Sequence, residues 1–222
     1  MVKPKKLDLT QDALGELQVP SGFTIEKFAE GLVNPRVLAV TEDGTVYVTR
    51  RSVGDVVMLQ DADGDGKADE QRTIASRPHM HGIAIDGKTM YLVTVEDIYA
   101  AEIKDDGTLG ELERIVNDLP DSGQHPNRTI AMGPDRMLYV SVGSTCNACE
   151  ESSPESATIL RVKPDGTSRT IFASGLRNMI GFAWHPETGK LYGMDHGTDW
   201  MGDERPSEEL NVIEQGKKYG WP

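Results

Sequence analysis

No stretch of this chain approaches the roughly 18 consecutive apolar residues that a membrane-spanning helix needs, so insertion into a membrane is not expected. Aromatic residues are also scarce, at 6%. Positive charge is short as well, with 23 basic residues against 36 acidic ones and a formal net charge of -13. A chain of that charge repels phosphate backbones and anionic lipid surfaces, which argues against nucleic acid as a partner. Cysteine is limited to Cys146 and Cys149. A zinc site would need a second pair, and none exists. A small structural disulfide is the first reading and would favour an oxidising compartment; two free thiols, or a redox or metal-binding pair, stay open. The basic start Met1-Val2-Lys3-Pro4-Lys5-Lys6 has no apolar run behind it, so an exported form is expected to have had its signal peptide replaced by an initiator Met.

Glycine and proline are plentiful, with 23 and 12 copies in 222 residues. That composition suits many short strands and turns, in a chain long enough to bury a core as one domain or two. Residues 1–20 read as a polar arm with a weakly helical piece, Gln11 to Leu17. From Gly22 to Ala29 apolar and polar residues alternate as in a half-buried strand. A unit then repeats four times: a short apolar run, an Asp-Gly or similar turn, and a second run containing tyrosine. Its alanines, Ala39, Ala84, Ala131 and Ala183, recur at intervals of 45, 47 and 52 residues, and its tyrosines, Tyr47, Tyr91, Tyr139 and Tyr192, at 44, 48 and 53. Short-strand units of this length are the pattern of propeller blades. A βαβ repeat would need crossover helices, and the intervening stretches are too short or too polar for them. The expectation is therefore an all-β fold, a partial β-propeller over residues 21–222 with about four to four and a half blades.

Loops entering equivalent inner strands converge at one end of a propeller. His81 precedes the second inner strand, His125 the third, and Arg177 and Asn178 the fourth, so these four are expected to share a pocket. A titratable base beside a fixed cation suits proton abstraction from an alcohol. His185 lies within a hairpin turn and reads as structural, while His196 follows a hairpin and His79 lies beside His81. Elsewhere, Asp61, Asp63 and Asp65 alternate with Gly66 at the sixth position, which matches the start of an oxygen-rich calcium loop. The twelfth position is Arg72, so Asp69 or Glu70 would have to close the shell; the bland alternative is a solvent-facing acidic turn. The acidic run from Asp203 to Glu209 either supplies a second cation or faces water. Hydrolysis on a central propeller cation would need inward carboxylates at equivalent blade positions, and the sequence offers no such set.

The stretch Gly123-Gln124-His125-Pro126-Asn127-Arg128, the Gly175-Leu176-Arg177-Asn178 motif, Asp195-His196-Gly197, Glu209-Leu210-Asn211 and Tyr219-Gly220-Trp221-Pro222 stand in one order. Together they resemble the soluble pyrroloquinoline quinone (PQQ)-dependent sugar dehydrogenases, closest to the L-sorbosone dehydrogenase branch. The resemblance covers about residues 20 to 222. It implies a six-bladed propeller in the intact family, periplasmic or secreted, that oxidises sugars or related alcohols and aldehydes by hydride transfer to PQQ and passes electrons to an acceptor. It implies His125 as general base and Arg177 and Asn178 beside the quinone, with the backbone carbonyls of Gly197 and Thr198 on a bridging calcium. Glu209 and Tyr219 are similar to residues at a second, structural calcium in some members. The family's remaining quinone-binding basic residues and substrate-side aromatics lie in later blades, which are expected from a missing part of the chain or from another chain. The alternative function is a calcium-stabilised propeller that binds a ligand without chemistry.

Overall fold

A computed structural model describes residues 15–121, 123–202, 204–205 and 207–222. Most of the expected helical piece, Gln11 to Leu17, lies outside the described residues. Fifteen strands form four antiparallel sheets. Blade one comprises β1 (Leu38–Val40), β2 (Val46–Arg50), β3 (Asp55–Gln60) and β4 (Glu70–Ser76). Blade two comprises β5 (Gly82–Asp86), β6 (Thr89–Val93), β7 (Ile98–Glu102) and β8 (Glu113–Val116). Blade three comprises β9 (Ile130–Met132), β10 (Leu138–Val142), β11 (Thr158–Val162) and β12 (Arg169–Ser174), and blade four comprises β13 (Met179–Trp184), β14 (Leu191–Asp195) and β15 (Glu209–Ile213). Each sheet is an up-and-down meander in sequence order, the blade of a β-propeller.

The two repeat markers are cross-strand partners in all four blades. Ala39 faces Tyr47, Ala84 faces Tyr91, Ala131 faces Tyr139, and Ala183 faces Tyr192. A small residue opposite a large one lets the innermost hairpin taper toward the hub, where β1, β5 and β9 approach one another. Between blades the core is apolar and buried. Tyr47, Val56 and Met58 of blade one meet Ile83, Met90 and Leu92 of blade two, and Tyr139 and Ile159 of blade three meet Met179 and Leu191 of blade four. Tyr139 also packs edge-on against Phe172 and Trp184.

Outer strands β4, β8 and β12 each carry one extra residue where they pair with their neighbours. The register shifts fall at Val56/Val57, Ile98/Tyr99 and Ile159/Leu160, and leave Ile74, Ile115 and Phe172 unpaired. All three are half-buried apolar side chains packed on the core of their own region. Such bulges sharpen the local twist of a strand.

The alternation at Gly22–Ala29 does not form a strand; the segment is irregular, and Phe23 and Ile25 are exposed. Its recorded backbone contact with the blade is a single hydrogen bond, from Ala68 N to Phe28 O at 2.8 Å. Phe28, Ala29 and Leu32 instead lie across Val48, Val57 and Leu59 on the outer face of blade one. Only the end of the segment rests on the sheet, and the alternation at Phe23 and Ile25 has neither a backbone ladder nor a packed face behind it. On the far face of blade four, Met194, Leu210 and Val212 stay exposed.

Candidate functional site

Antiparallel meanders send alternate connections to opposite ends of each blade. The connections before β5, β9 and β13, and those after β6, β10 and β14, all emerge at one end. His81, His125, Arg177, Asn178, Gly197 and Thr198 lie on these connections. The Asp61–Asp69 loop joins β3 to β4 and lies at the other end.

His125 is 8% exposed. Its Nδ1 lies 2.9 Å from the carbonyl oxygen of Ser144 and 2.8 Å from the Ser144 hydroxyl. A carbonyl cannot donate, and the hydroxyl gives its own proton to the Cys146 carbonyl at 2.8 Å. Nδ1 must therefore carry the proton, which leaves Nε2 with a free lone pair. Burial pushes the imidazole pKa below its ordinary value; the bond to Ser144 opposes that shift and the Arg177 charge adds to it. The ring is held as a neutral base. The loop behind it needs glycine, since Gly123 has φ +48° and a Cβ there would stand 2.4 Å from the Thr145 carbonyl oxygen.

Arg177 is 1% exposed. Its donors go to Asn147 O at 2.8 Å, Asn147 Oδ1 at 2.7 Å, Asp199 Oδ2 at 3.0 Å, His196 O at 3.3 Å and Gly197 O. All five donors of the guanidinium are matched by these five acceptors. The Arg177 backbone carbonyl receives the Ser144 amide at 2.7 Å, so His125 and Arg177 grip the same residue. Among the described residues the Asn178 side-chain amide makes no hydrogen bond; its oxygen lies near the Gly143 backbone, which also abuts His125. His81 reaches the same end but bonds through Nδ1 to the Arg128 carbonyl at 2.8 Å, away from the Arg177 network. Burial lowers its pKa too, with the charges of Arg36 and Arg51 adding to the effect.

Asp195 is buried, and its carboxylate accepts the backbone amides of Arg177 at 3.0 Å and Asn178 at 2.8 Å. It fixes the turn that presents both side chains. Burial raises its pKa, those two amides pull it back, and the Glu209 charge raises it further. Asp195, Gly197, Thr198, Glu209 and Tyr219 line one cavity of about 250 Å³. Four sequence candidates for metal ligation thus share a wall. The Tyr219 hydroxyl is already occupied, donating to Val212 O at 2.6 Å and accepting from Glu214 N at 2.7 Å, so this residue offers only its carbonyl. The buried Asp195 carboxylate, the exposed Glu209 carboxylate and half-buried backbone carbonyls are the donor types of a hard cation such as calcium, and Arg177 lines the same cavity with a donor already on Gly197 O.

At the opposite end, the carboxylates of Asp61, Asp63 and Asp65 can approach within 4.8 Å of one another. Asp61 accepts the amides of Gly64, Asp65 and Gly66, and Asp69 accepts that of Ala62 at 2.8 Å, so Asp69 braces the loop from outside the cluster. His185 is structural, its Nδ1 accepting the amides of Glu187 and Thr188 in the β13–β14 turn. Cys146 and Cys149 form a disulfide.

Sequence reasoning missed Ser144, Asn147, Asp195 and Asp199 as parts of the site. Asn147 had a signal, being enclosed by the two cysteines. Arg128 was missed as well: it is fully buried and donates to Val95 O at 3.1 Å and Pro120 O at 2.6 Å, tying its own β8–β9 connection to the β6–β7 loop. Without a carboxylate in contact, its pKa falls through burial to about 10.

The molecule is a four-blade β-propeller whose blade-entry loops gather a neutral histidine, a saturated arginine and an oxygen-lined cavity at one end. The chain belongs to the TrAA12-like family, whose model matches residues 17–222. A PQQ-dependent sugar dehydrogenase of Hypocrea jecorina is 26% identical over 90% of this chain and 55% of its own length. An iodide structure of the Trichoderma reesei carbohydrate-active enzyme of family AA12 superposes with a TM-score of 0.77 at 25% identity, covering 93% of this chain and 62% of that one. The PQQ-bound aldose sugar dehydrogenase of Streptomyces coelicolor shares the fold, with a TM-score of 0.72 at 24% identity over 89% of this chain and 65% of that one. The relatives named for an activity are PQQ-dependent sugar and aldose dehydrogenases, and none singles out a sorbosone branch. The chain spans about half the length of the curated relatives it matches, 58% of one and 55% of another.

Proposed function

We propose that this chain forms part of a PQQ- and calcium-dependent dehydrogenase of a sugar or related alcohol or aldehyde, periplasmic or secreted, that passes electrons to a separate acceptor. The observation that carries this reading is the fixed tautomer of His125. With Nδ1 committed to Ser144, Nε2 is the atom that takes the substrate hydroxyl proton. The depressed pKa keeps it unprotonated at neutral pH, and burial keeps competing water away. When bound, PQQ supplies the two-electron acceptor for the hydride that leaves the substrate carbon. Asn178 has a side-chain amide to offer it. Arg177 contributes positive charge at close range while its donors hold the loops, so the quinone contact that the resemblance implies would require it to exchange partners. Asp195, Glu209 and the carbonyls of Gly197 and Thr198 would hold calcium.

The test is reduction of an artificial electron acceptor with a panel of sugars, after the protein is loaded with PQQ and calcium. Turnover that His125→Ala removes supports the reading. No turnover and no quinone absorbance on the protein would overturn it and leave a binding propeller without catalysis.

A further inference from the structure

We propose that the four-residue loop closed by the Cys146–Cys149 disulfide is the positioning element that holds both His125 and Arg177, with Asn147 as its working side chain. This rests on the functional reading above for its consequence in catalysis, but not for its geometry. The two half-cystines enclose only Asn147 and Ala148, with their Cα atoms 6.1 Å apart. Both backbone carbonyls at the start of this loop face the site. The Cys146 carbonyl takes the Ser144 hydroxyl proton, and that bond turns the hydroxyl oxygen toward His125 Nδ1 as an acceptor. Asn147 accepts two Arg177 donors, one on its carbonyl and one on its amide oxygen. The same amide oxygen receives the Asp199 amide at 2.8 Å, and Asn147 Nδ2 reaches the Asp199 carbonyl at 3.3 Å. Asp199 in turn accepts from Arg177.

The loop is also anchored from both flanks. Glu151 accepts the Thr145 amide at 2.8 Å and its hydroxyl at 2.7 Å, and the Thr145 carbonyl receives the Gln124 amide at 2.9 Å, one residue before His125. An unconstrained exposed loop of this length would sample many conformations, each presenting Cys146 O and Asn147 differently. Closing it covalently removes most of them, so the acceptors that set the His125 tautomer and saturate Arg177 stand ready before any substrate arrives. Cys146 and Cys149 touch no reacting atom in this account; they act through Ser144 and Asn147.

The experiment compares the protein with its Cys146→Ser/Cys149→Ser and Asn147→Ala variants. Imidazole ¹⁵N spectra report the His125 tautomer without any need for turnover. The wild type is expected to hold Nδ1–H almost exclusively, and the double serine variant to show both tautomers, a change of about tenfold or more in their ratio. Asn147→Ala keeps the disulfide and is expected to leave the tautomer fixed while speeding hydrogen exchange at the Arg177 guanidinium by a similar factor. Should the double variant fail to fold, the Arg177 exchange in Asn147→Ala decides alone. In turnover assays both variants are expected to lose on the order of 10- to 100-fold in kcat with little change in KM. An unchanged tautomer in the folded double variant, or unchanged Arg177 exchange in Asn147→Ala, overturns the proposal. Wild-type protein that shows the fixed tautomer but no turnover overturns the functional reading instead.

Discussion

His125 and Arg177 are joined through one residue: Ser144 accepts the Nδ1 proton of the histidine on its carbonyl and hydroxyl, and donates its own amide proton to the arginine carbonyl. Two groups distant in sequence are thereby locked to a common backbone unit. Their spacing is a property of the β10 exit rather than of either loop alone.

Substituting Ser144 by Ala removes the hydroxyl but leaves its carbonyl to hold Nδ1. The tautomer ratio should loosen in the same direction as in the Cys146→Ser/Cys149→Ser variant, and kcat should fall by about tenfold, a small part of the roughly 10²- to 10⁴-fold loss expected for His125→Ala. Steady-state kinetics on both variants check the ranking. Equal losses would mean that the hydroxyl has a part in the chemistry beyond support.

Gly123→Ala should be disproportionately harmful for a one-methyl change. The backbone there is left-handed, and the new Cβ would collide with the Thr145 carbonyl oxygen. Strain of about 1–3 kcal/mol is expected, read as a lower urea midpoint, together with displacement of the neighbouring His125. Retained stability and activity would show that the loop has slack.

Removal of the Asp195 carboxylate, as in Asp195→Ala, leaves the amides of Arg177 and Asn178 without their acceptor in a buried position. A loss of about 2 kcal/mol follows from hydrogen bonds to a charged acceptor, measured by urea unfolding. The cavity's share of the calcium stabilisation should also be lost in this variant. An unchanged calcium response would place the ion elsewhere.

Calcium should raise the urea midpoint by an amount that grows with concentration, about 2.7 kcal/mol at a hundredfold excess over Kd. Glu209→Gln removes the contribution from the cavity, and Asp61→Asn/Asp63→Asn removes any from the loop at the other end. Sites at opposite ends of the blades should behave additively. A chelator titration on the three proteins separates them, and no shift in any would refute both sites.

Acid should weaken the fold through His81 and His125. Both pKa values lie below the ordinary 6.5 in the folded chain because burial disfavours the charged ring. The unfolded chain therefore takes up protons first as pH drops, so the stabilisation is whole above about pH 6.5 and is lost as pH falls through the folded values. The urea midpoint should decline below that point, less steeply in His81→Gln. Activity should fall over the same range as Nε2 of His125 protonates. A midpoint flat down to pH 5 would contradict the assignment.

The repeat was legible because each blade spends an alanine and a tyrosine at the same pair of facing positions, and backbone pairing keeps that spacing visible. The convergence of His125, Arg177 and Asn178 at one end followed from the same arithmetic, whereas Gly197, Thr198 and Glu209 came from the family resemblance, which put Glu209 at a separate calcium. Residues 22–29 misled because the alternation has no matching burial: Phe23 and Ile25 are exposed, and only Phe28 and Ala29 rest on the sheet. Asn147 was marked only by its place between the two cysteines, and Asp195 was not legible as a site residue because its role depends on which backbone groups fold within its reach. No spacing encodes that. Nor does spacing reveal that the Asp61 loop faces away from His125, which depends on counting strand reversals.

The three outer-strand bulges have a consequence for how such a site could change. Each lies within a few residues of the crossing to the next blade, and those crossings deliver His81, His125 and Arg177 in turn. Deleting the unpaired Ile74, Ile115 or Phe172 would restore regular pairing and shift the residues that follow in the outer strand to the opposite face of the sheet. Blades one to three thus each carry a one-residue irregularity just before the crossing to the next blade. A family built on this plan can redirect one group of the pocket by gaining or losing a single outer-strand residue while leaving the other blades untouched.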